Sequence, residues 1–181
     1  MMEKPRFLLH MCCAPCSPHV INVLRKEFTV DTFFFNPNIH PKNEYDDRLS
    51  ESQIHSKKID IRFHSGRYSV KDWMSKVKGH ENDKEGEERC NICYRIRLEE
   101  TAIKAKKEGF GFFGTTLSVS PHKNADVINA IGSEIGKNHG VSFFEANFKK
   151  KDGFKKSVAL SKKYEMKRQD YCGCIFSKNK K

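Results

Sequence analysis

No run of about 18 apolar residues occurs anywhere in this chain, so the sequence offers no candidate helical membrane span. The start, Met1-Met2-Glu3-Lys4, lacks the apolar stretch of a secretory signal and leads directly into Phe7-Leu8-Leu9. A soluble, cytoplasmic protein is the expectation. No internal repeat or low-complexity segment interrupts the 181 residues, a length that suits one domain over 1-181, with 165-181 as a cysteine-bearing tail. A phosphate loop is missing too. Where an ATP-using fold of the expected type has glycine and serine after its first strand, this chain has Met11-Cys12-Cys13-Ala14-Pro15-Cys16, which disfavours phosphate binding there. Acidic charge is in short supply: 34 Lys and Arg against 23 Asp and Glu leave a formal net charge of +11, which suits a nucleic-acid partner without choosing between RNA and DNA. Seven cysteines, an odd number in a reducing compartment, exclude a simple set of structural disulfides and point to metal binding or thiol chemistry.

What is present is an alternation of short strands and helices. Phe7-Leu8-Leu9 reads as a buried strand, and Ser17-Pro18 before Val20, Ile21, Leu24 and Phe28 reads as an amphipathic helix with Ser17 at its N-cap. The same pattern gives strands at 29–35, 59–63, 110–115 and 141–146. Helices are expected at 44–57, around Val70-Trp73-Val77, from Arg89 to a left-handed Gly109 cap, on Val127-Ile128-Ile131-Ile135, and at about 154–164. The expected fold is α/β: a single Rossmann-like (HUP-like) domain, with a parallel sheet of about five strands in the order 3-2-1-4-5 and helices on both faces. That order puts the switch point between strands one and four, where the Cys12-Cys13 loop faces the Thr115 to Lys123 loop across the crevice. Lys178 to Lys181 reads as a frayed basic end.

The thiols carry the chemistry. Cys12-Cys13 and Cys90-x-x-Cys93 supply the four ligands of a 4Fe-4S cluster or of a tetrahedral zinc, and the bland reading is that the second pair packs as small hydrophobes on a helix. Adjacent cysteines favour the cluster, since such a pair reaches two different irons if the backbone turns at Cys13. Cys16 is left over, either a buried non-ligand or the holder of a second metal. A disulfide across Cys172-Gly173-Cys174 would be strained and easily reduced, which suits a redox-active pair; the alternative is two thiols or extra ligands. His10, Asp47 and His122 invite acid-base roles, although isolated residues of these types usually serve structure. Arg89, Arg95, Arg97, Lys123 and Arg168 flank the site elements and could together track a phosphate backbone, with Tyr94 or Tyr171 offering a stacking face for a base.

His10-Met11-Cys12-Cys13-Ala14-Pro15, Asn36-Pro37-Asn38-Ile39, Glu44-Tyr45, Cys90-Asn91-Ile92-Cys93-Tyr94-Arg95, Thr115-Thr116-Leu117, Ser120-Pro121-His122-Lys123 and Tyr171-Cys172-Gly173-Cys174 together resemble the QueH family of epoxyqueuosine reductases. The motifs run in order over nearly the whole chain. The resemblance implies an oxidoreductase for the last step of queuosine biosynthesis, reducing epoxyqueuosine at the wobble position of tRNA anticodons. It implies that Cys12, Cys13, Cys90 and Cys93 hold a 4Fe-4S cluster and that Cys172 and Cys174 are the catalytic redox pair. Some members have an acidic residue that helps bind an extra iron where this chain has Cys16, so an additional iron at Cys16 is an open expectation. The partners implied are the modified tRNA and an electron donor that the sequence does not name, with no membrane and a monomeric chain. Two rival readings share part of this pattern: an iron–sulfur tRNA sulfurtransferase, which should bind ATP, and a zinc-stabilised RNA-binding module without turnover.

Overall fold

The computed structural model describes residues 3–178. Five strands, β1 (Arg6–His10), β2 (Thr29–Phe34), β3 (Phe63–Ser65), β4 (Phe112–Thr115) and β5 (Ser142–Phe143), form one parallel sheet in the order β3-β2-β1-β4-β5. This is the expected strand order. Helices α1 (Ser17–Leu24), α2 (Lys42–Lys58), α3 (Val70–Lys76), α4 (Glu88–Lys107), α5 (Ala125–His139), α6 (Gly153–Lys163) and α7 (Ile175–Lys178) complete the fold among the described residues.

Alternation along β1 builds two cores, one on each face of the sheet. Leu8 packs with Phe33, Leu98, Ala102, Phe113, Ile128 and Ile135 under α4 and α5. Phe7 and Leu9 point the other way and pack with Val20, Ile21, Leu24, Phe28 and Phe148 under α1 and α6. All three β1 side chains are fully buried, and each contributes about 1.5–3 kcal/mol by leaving water. The register, Phe7 opposite Val30 on one side and Phe112 on the other, ends β1, β2 and β4 together, so their following loops meet at one edge.

Several boundaries differ from expectation for local reasons. The third strand begins at Phe63, not Ile59. Asp60 adopts φ +52°, and Ile61 N donates to Ser56 O at 2.9 Å, so this stretch closes α2 before the strand starts. Ser17 lies inside α1 and Cys16 is its N-cap, because a 3-10 turn, Ala14–Cys16, runs straight into the helix and the Ser17 hydroxyl donates to Ala14 O at 2.8 Å. Gly109 has φ +72° just beyond α4, as expected for a left-handed cap. Of the expected basic end, Lys178 closes α7, and 179–181 lie outside the described residues.

Candidate metal centre

The loop after β1 brings three thiols together. Cys12, Cys13 and Cys16 Sγ atoms all lie within 4.8 Å of one another, with Cys12 to Cys13 at 3.8 Å and Cys13 to Cys16 at 3.2 Å. The turn that does this is not at Cys13, whose backbone is extended, but at the 3-10 turn 14–16, which folds Cys16 back. Two longer-range contacts hold the loop in place. Asn36, just after β2, donates from Nδ2 to Met11 O at 2.9 Å; Thr116, just after β4, accepts from Cys12 N at 3.1 Å and donates its hydroxyl to Cys12 Sγ at 3.2 Å. The Cys12 loop and the loop after β4 therefore face each other at the switch point.

One thiol of the three is set up as a thiolate. Hydrogen bonds from Cys13 and Cys16, joined by Thr116, hold Cys12 well below its ordinary range against the opposing effect of burial. Cys13 and Cys16 are pushed up, chiefly by their interaction with Cys12 and by burial. His10 is completely buried beneath the loop, with Nδ1 2.9 Å from the Thr115 hydroxyl and Nε2 3.2 Å from Phe35 O. The Phe35 carbonyl can only accept, so Nε2 carries the ring proton and donates to it, and Nδ1 accepts from the Thr115 hydroxyl, whose oxygen in turn accepts from Leu117 N at 3.1 Å. Burial, and then the Arg97 charge, depress its pKa to about 4. His10 thus works as a neutral brace between β1, β2 and β4.

Cys90 and Cys93 sit near the start of α4, outside the tight group of three among the described residues. Cys90 Sγ accepts from Gly86 N at 3.2 Å and packs on the same apolar cluster as Cys12; Cys93 is buried with Trp73, Val77, Cys172 and Cys174. Arg89 fixes this helix start. Its buried guanidinium donates to the carbonyls of His80, Glu81 and Asp83, and its backbone N–H to Asp83 Oδ2, which straps the 79–88 segment over α4.

Arg97 and Lys123 are turned inward. Arg97 is 4% exposed, donating from Nε to Cys93 O at 3.2 Å with Nη1 3.5 Å from Asn36 Oδ1. Burial works against its charge, but Cys93, Cys12, Tyr94 and Cys172 outweigh it and keep the guanidinium charged. The Lys123 side chain is 10% exposed, lies 5.9 Å from the Tyr94 ring centroid and pairs with Glu85 at 3.6 Å. Desolvation opposes its charge too, and Tyr94 and Cys172 more than offset that. Tyr94 itself is pushed up to about 12 by burial. Arg95 is instead on the surface in a bidentate pair with Glu134, while Asp47 and His122 are exposed and take no part in the thiol group.

The tail is clamped to the loop that follows β2. His40 N donates to Gly173 O at 2.8 Å, Asn38 Nδ2 to Cys172 O at 3.4 Å, and the Tyr171 hydroxyl to His40 O at 2.5 Å. Arg48, only 3% exposed and held by Glu44 at 2.6 Å, donates to Tyr171 O at 3.2 Å and lies 5.1 Å from the Tyr171 ring centroid. All seven cysteines are free thiols. Cys172 is held well below its ordinary range by Cys174, with Lys123 and Ser177 contributing, whereas Cys174 is pushed up. Asn36, Asn38, Glu44, Arg48 and Thr116 thus position the thiols, and sequence reasoning assigned them no role. Asn36, Asn38, Glu44 and Thr116 did fall within the motifs that carry the family resemblance, whereas Arg48, inside α2, carried no signal.

Comparison with known proteins places this arrangement. A family model described as epoxyqueuosine reductase QueH matches residues 7–180. Among curated relatives, a Thermotoga maritima protein named epoxyqueuosine reductase QueH is 39% identical over 174 residues, covering 94% of this chain and 88% of its own. One of the same name from Streptococcus pyogenes serotype M1 is 35% identical over 180 residues, covering 96% and 71%. Among solved structures, the U34-tRNA thiolase NcsA from Methanococcus maripaludis with its 4Fe-4S cluster aligns with a TM-score of 0.60 at 14% identity. That alignment covers 97% of this chain and 62% of the thiolase, and at such identity it speaks to the fold alone.

Proposed function

The chain belongs to the epoxyqueuosine reductase QueH family, a family of oxidoreductases, and from that premise we propose that it reduces epoxyqueuosine at the wobble position of tRNA to queuosine with a 4Fe-4S cluster and the Cys172/Cys174 pair. The observation that carries this reading is the meeting of three sets of thiols, from the loop after β1, the start of α4 and the tail, around the buried cations Arg97 and Lys123.

The donor set fits such a cofactor. Soft thiolates suit iron–sulfur binding, the loop thiols are within ligand reach of one another, and buried positive charge offsets several negative sulfurs. Cys12, Cys13, Cys90 and Cys93 would hold the cluster, with Cys16 as an alternative ligand or the holder of an additional iron. When bound, the cluster supplies electrons one at a time and Lewis acidity.

The remaining chemistry belongs to the chain. Removing the epoxide oxygen needs two electrons and two protons and gives an alkene and water. Oxidation of the Cys172 thiolate and the Cys174 thiol to a disulfide forms the S–S bond and releases two electrons and one proton; solvent supplies the second proton, and an external electron donor must then reduce the disulfide. Cys172 is the nucleophilic member, since Cys174 and Lys123 favour its thiolate. The field of Arg97 and Lys123 also favours the negative charge that builds on the oxygen as the C–O bond opens. Arg48, His40 and Asn38 hold the tail backbone so that the pair stays beside the other thiols. We read 1-181 as one domain acting as a monomer in the cytoplasm. Incubating anaerobically reconstituted protein and a reductant with epoxyqueuosine-containing tRNA, followed by nucleoside mass spectrometry, tests the activity. Queuosine formation supports it, and unchanged epoxyqueuosine with full iron loading refutes it.

A further inference from the structure

Positive charge is concentrated in one stretch that the thiol centre does not use. Residues 149–168 hold nine Lys or Arg against two acids, a net +7 within a chain of net +11. The inner face of α6 is small and buried, with Gly153, Ser157 and Ser161 against the body of the protein; Ser157 Oγ donates to Pro15 O at 2.8 Å, one residue from Cys16. The turn before α6 is tied to the other side of the crevice, where Lys149 Nζ donates to Lys123 O at 2.5 Å. The outer face is different. Lys155, Lys156, Lys162 and Lys163 are all exposed, two pairs separated by two helical turns, or about 10.5 Å along the axis, whereas Arg168, beyond the helix, turns its guanidinium back to Ser161 Oγ at 3.2 Å.

We infer that the outer face of α6, with the turn before it, is the surface on which the tRNA phosphate backbone lies, delivering a nucleotide to the thiols behind the helix. The inference rests on the proposed reading of the substrate and adds where it is held. Two observations favour phosphates over an acidic protein or a membrane. Lysine is depleted in the cores of protein interfaces, which rely on aromatic and apolar anchors, yet none of the exposed large hydrophobics among the described residues falls within 149–168. A membrane-surface helix needs an accessible apolar face, and the inner face of α6 is spent against the loop after β1. Exposed ammonium groups with few partners are what counterion release rewards. The partners present are local: Lys155 with Asp152 at 3.3 Å, and Lys156 with Lys151 O at 3.0 Å.

The experiment compares tRNA affinity against salt for three proteins. One is wild type. The second carries Lys155→Gln, Lys156→Gln, Lys162→Gln and Lys163→Gln. The third carries Lys26→Gln, Lys57→Gln, Lys107→Gln and Lys137→Gln, exposed residues near the C-terminal ends of α1, α2, α4 and α5, at the opposite end of the sheet from the thiols. Circular dichroism checks that all three are folded. The α6 variant should bind at least about tenfold more weakly at moderate salt, with the slope of log affinity against log salt reduced by about 3, because each lost phosphate contact removes about 0.7–0.9. The opposite-end variant should bind like wild type. Equal loss in both variants, or no loss in the α6 variant, overturns the assignment of this surface while leaving the tRNA substrate intact. If wild type itself fails to bind tRNA, the substrate reading and this inference fall together.

Discussion

Replacing Gly173 by alanine tests whether the clamp on the tail matters. Gly173 has φ +96°, a conformation that costs a residue with a side chain about 1–3 kcal/mol. A Cβ there would also sit 2.7 Å from Ile39 Cγ1, 3.2 Å from Arg48 Nη1 and 3.3 Å from Ile39 Cα, so the loop after β2 must yield as well. Relief comes from undocking the tail, with loss of the His40 N to Gly173 O bond. At 1.36 kcal/mol per decade, the backbone cost alone shifts the docked tail's equilibrium by roughly 5–150-fold. The two main cores on the faces of the sheet do not involve this contact, while Ile39 and Cys174 belong to two smaller buried clusters, so thermal stability should fall by no more than the cost of undocking the tail. Queuosine formation by Gly173→Ala should therefore drop by about tenfold or more, while iron content and tRNA affinity stay near wild type. Hydrogen exchange at the His40 amide should rise in parallel, because that proton is released to water when the tail lifts. Wild-type turnover combined with fast His40 exchange would refute the claim that the docked tail is needed.

Further predictions concern single groups. Cys12→Ser, Cys13→Ser, Cys90→Ser and Cys93→Ser should each lose iron while Cys172→Ser retains it, since a serine hydroxyl is a poor soft-metal ligand; iron and sulfide analysis decides each ligand separately. Cys174→Ser should impair repeated turnover of epoxyqueuosine-tRNA far more than tRNA binding, and unchanged turnover would remove the pair from the chemistry. His55 is buried against Tyr164, with both ring nitrogens lacking a hydrogen-bond partner, and burial, then the Lys58 and Arg25 charges, lower its pKa to about 4. Its contribution to stability is therefore present above pH 6.5 and lost as pH falls towards 4, up to about 3 kcal/mol. Urea titrations should show a shallower loss between pH 7 and 4.5 for His55→Phe than for wild type, and parallel curves would contradict this.

The parts of the molecule that the sequence disclosed are those whose signals are periodic or rare. Sheet order followed from the alternation of elements, and the thiol loop from the improbability of Cys12, Cys13 and Cys16 so close together. Ile59-Asp60-Ile61 misled because β-branched residues suggest a strand, whereas both isoleucines pack against the apolar cluster under α1 while the chain closes α2. Helix α7 is too short to show a period. The roles of the positioning residues were hidden for another reason, even where Asn36 and Thr116 fell within a motif. Asn36, Arg48 and Thr116 act through hydrogen bonds to backbone or sulfur across 25, 123 and 104 positions, and ordinary polar residues announce no such partner in one dimension.

Charge shows the same gap between composition and structure, and it bears on function. A net charge of +11 treats all basic residues alike, yet Arg97 and Lys123 are withdrawn from solvent and Lys155, Lys156, Lys162 and Lys163 are not. A buried cation is costly unless an anion meets it, and the anions facing these two are the Cys12 and Cys172 thiolates and, for Lys123, the Glu85 carboxylate. The inner pair therefore stabilises sulfur charge and is shielded from salt, whereas the outer lysines are screened by it. Salt should then separate the two roles in one assay. Raising it weakens tRNA capture through the outer set, but at saturating tRNA it leaves the rate of epoxide reduction nearly constant, because that rate depends on the inner set. A saturated rate that falls as steeply with salt as the affinity would mean that the buried cations are open to solvent during catalysis, and would break this division.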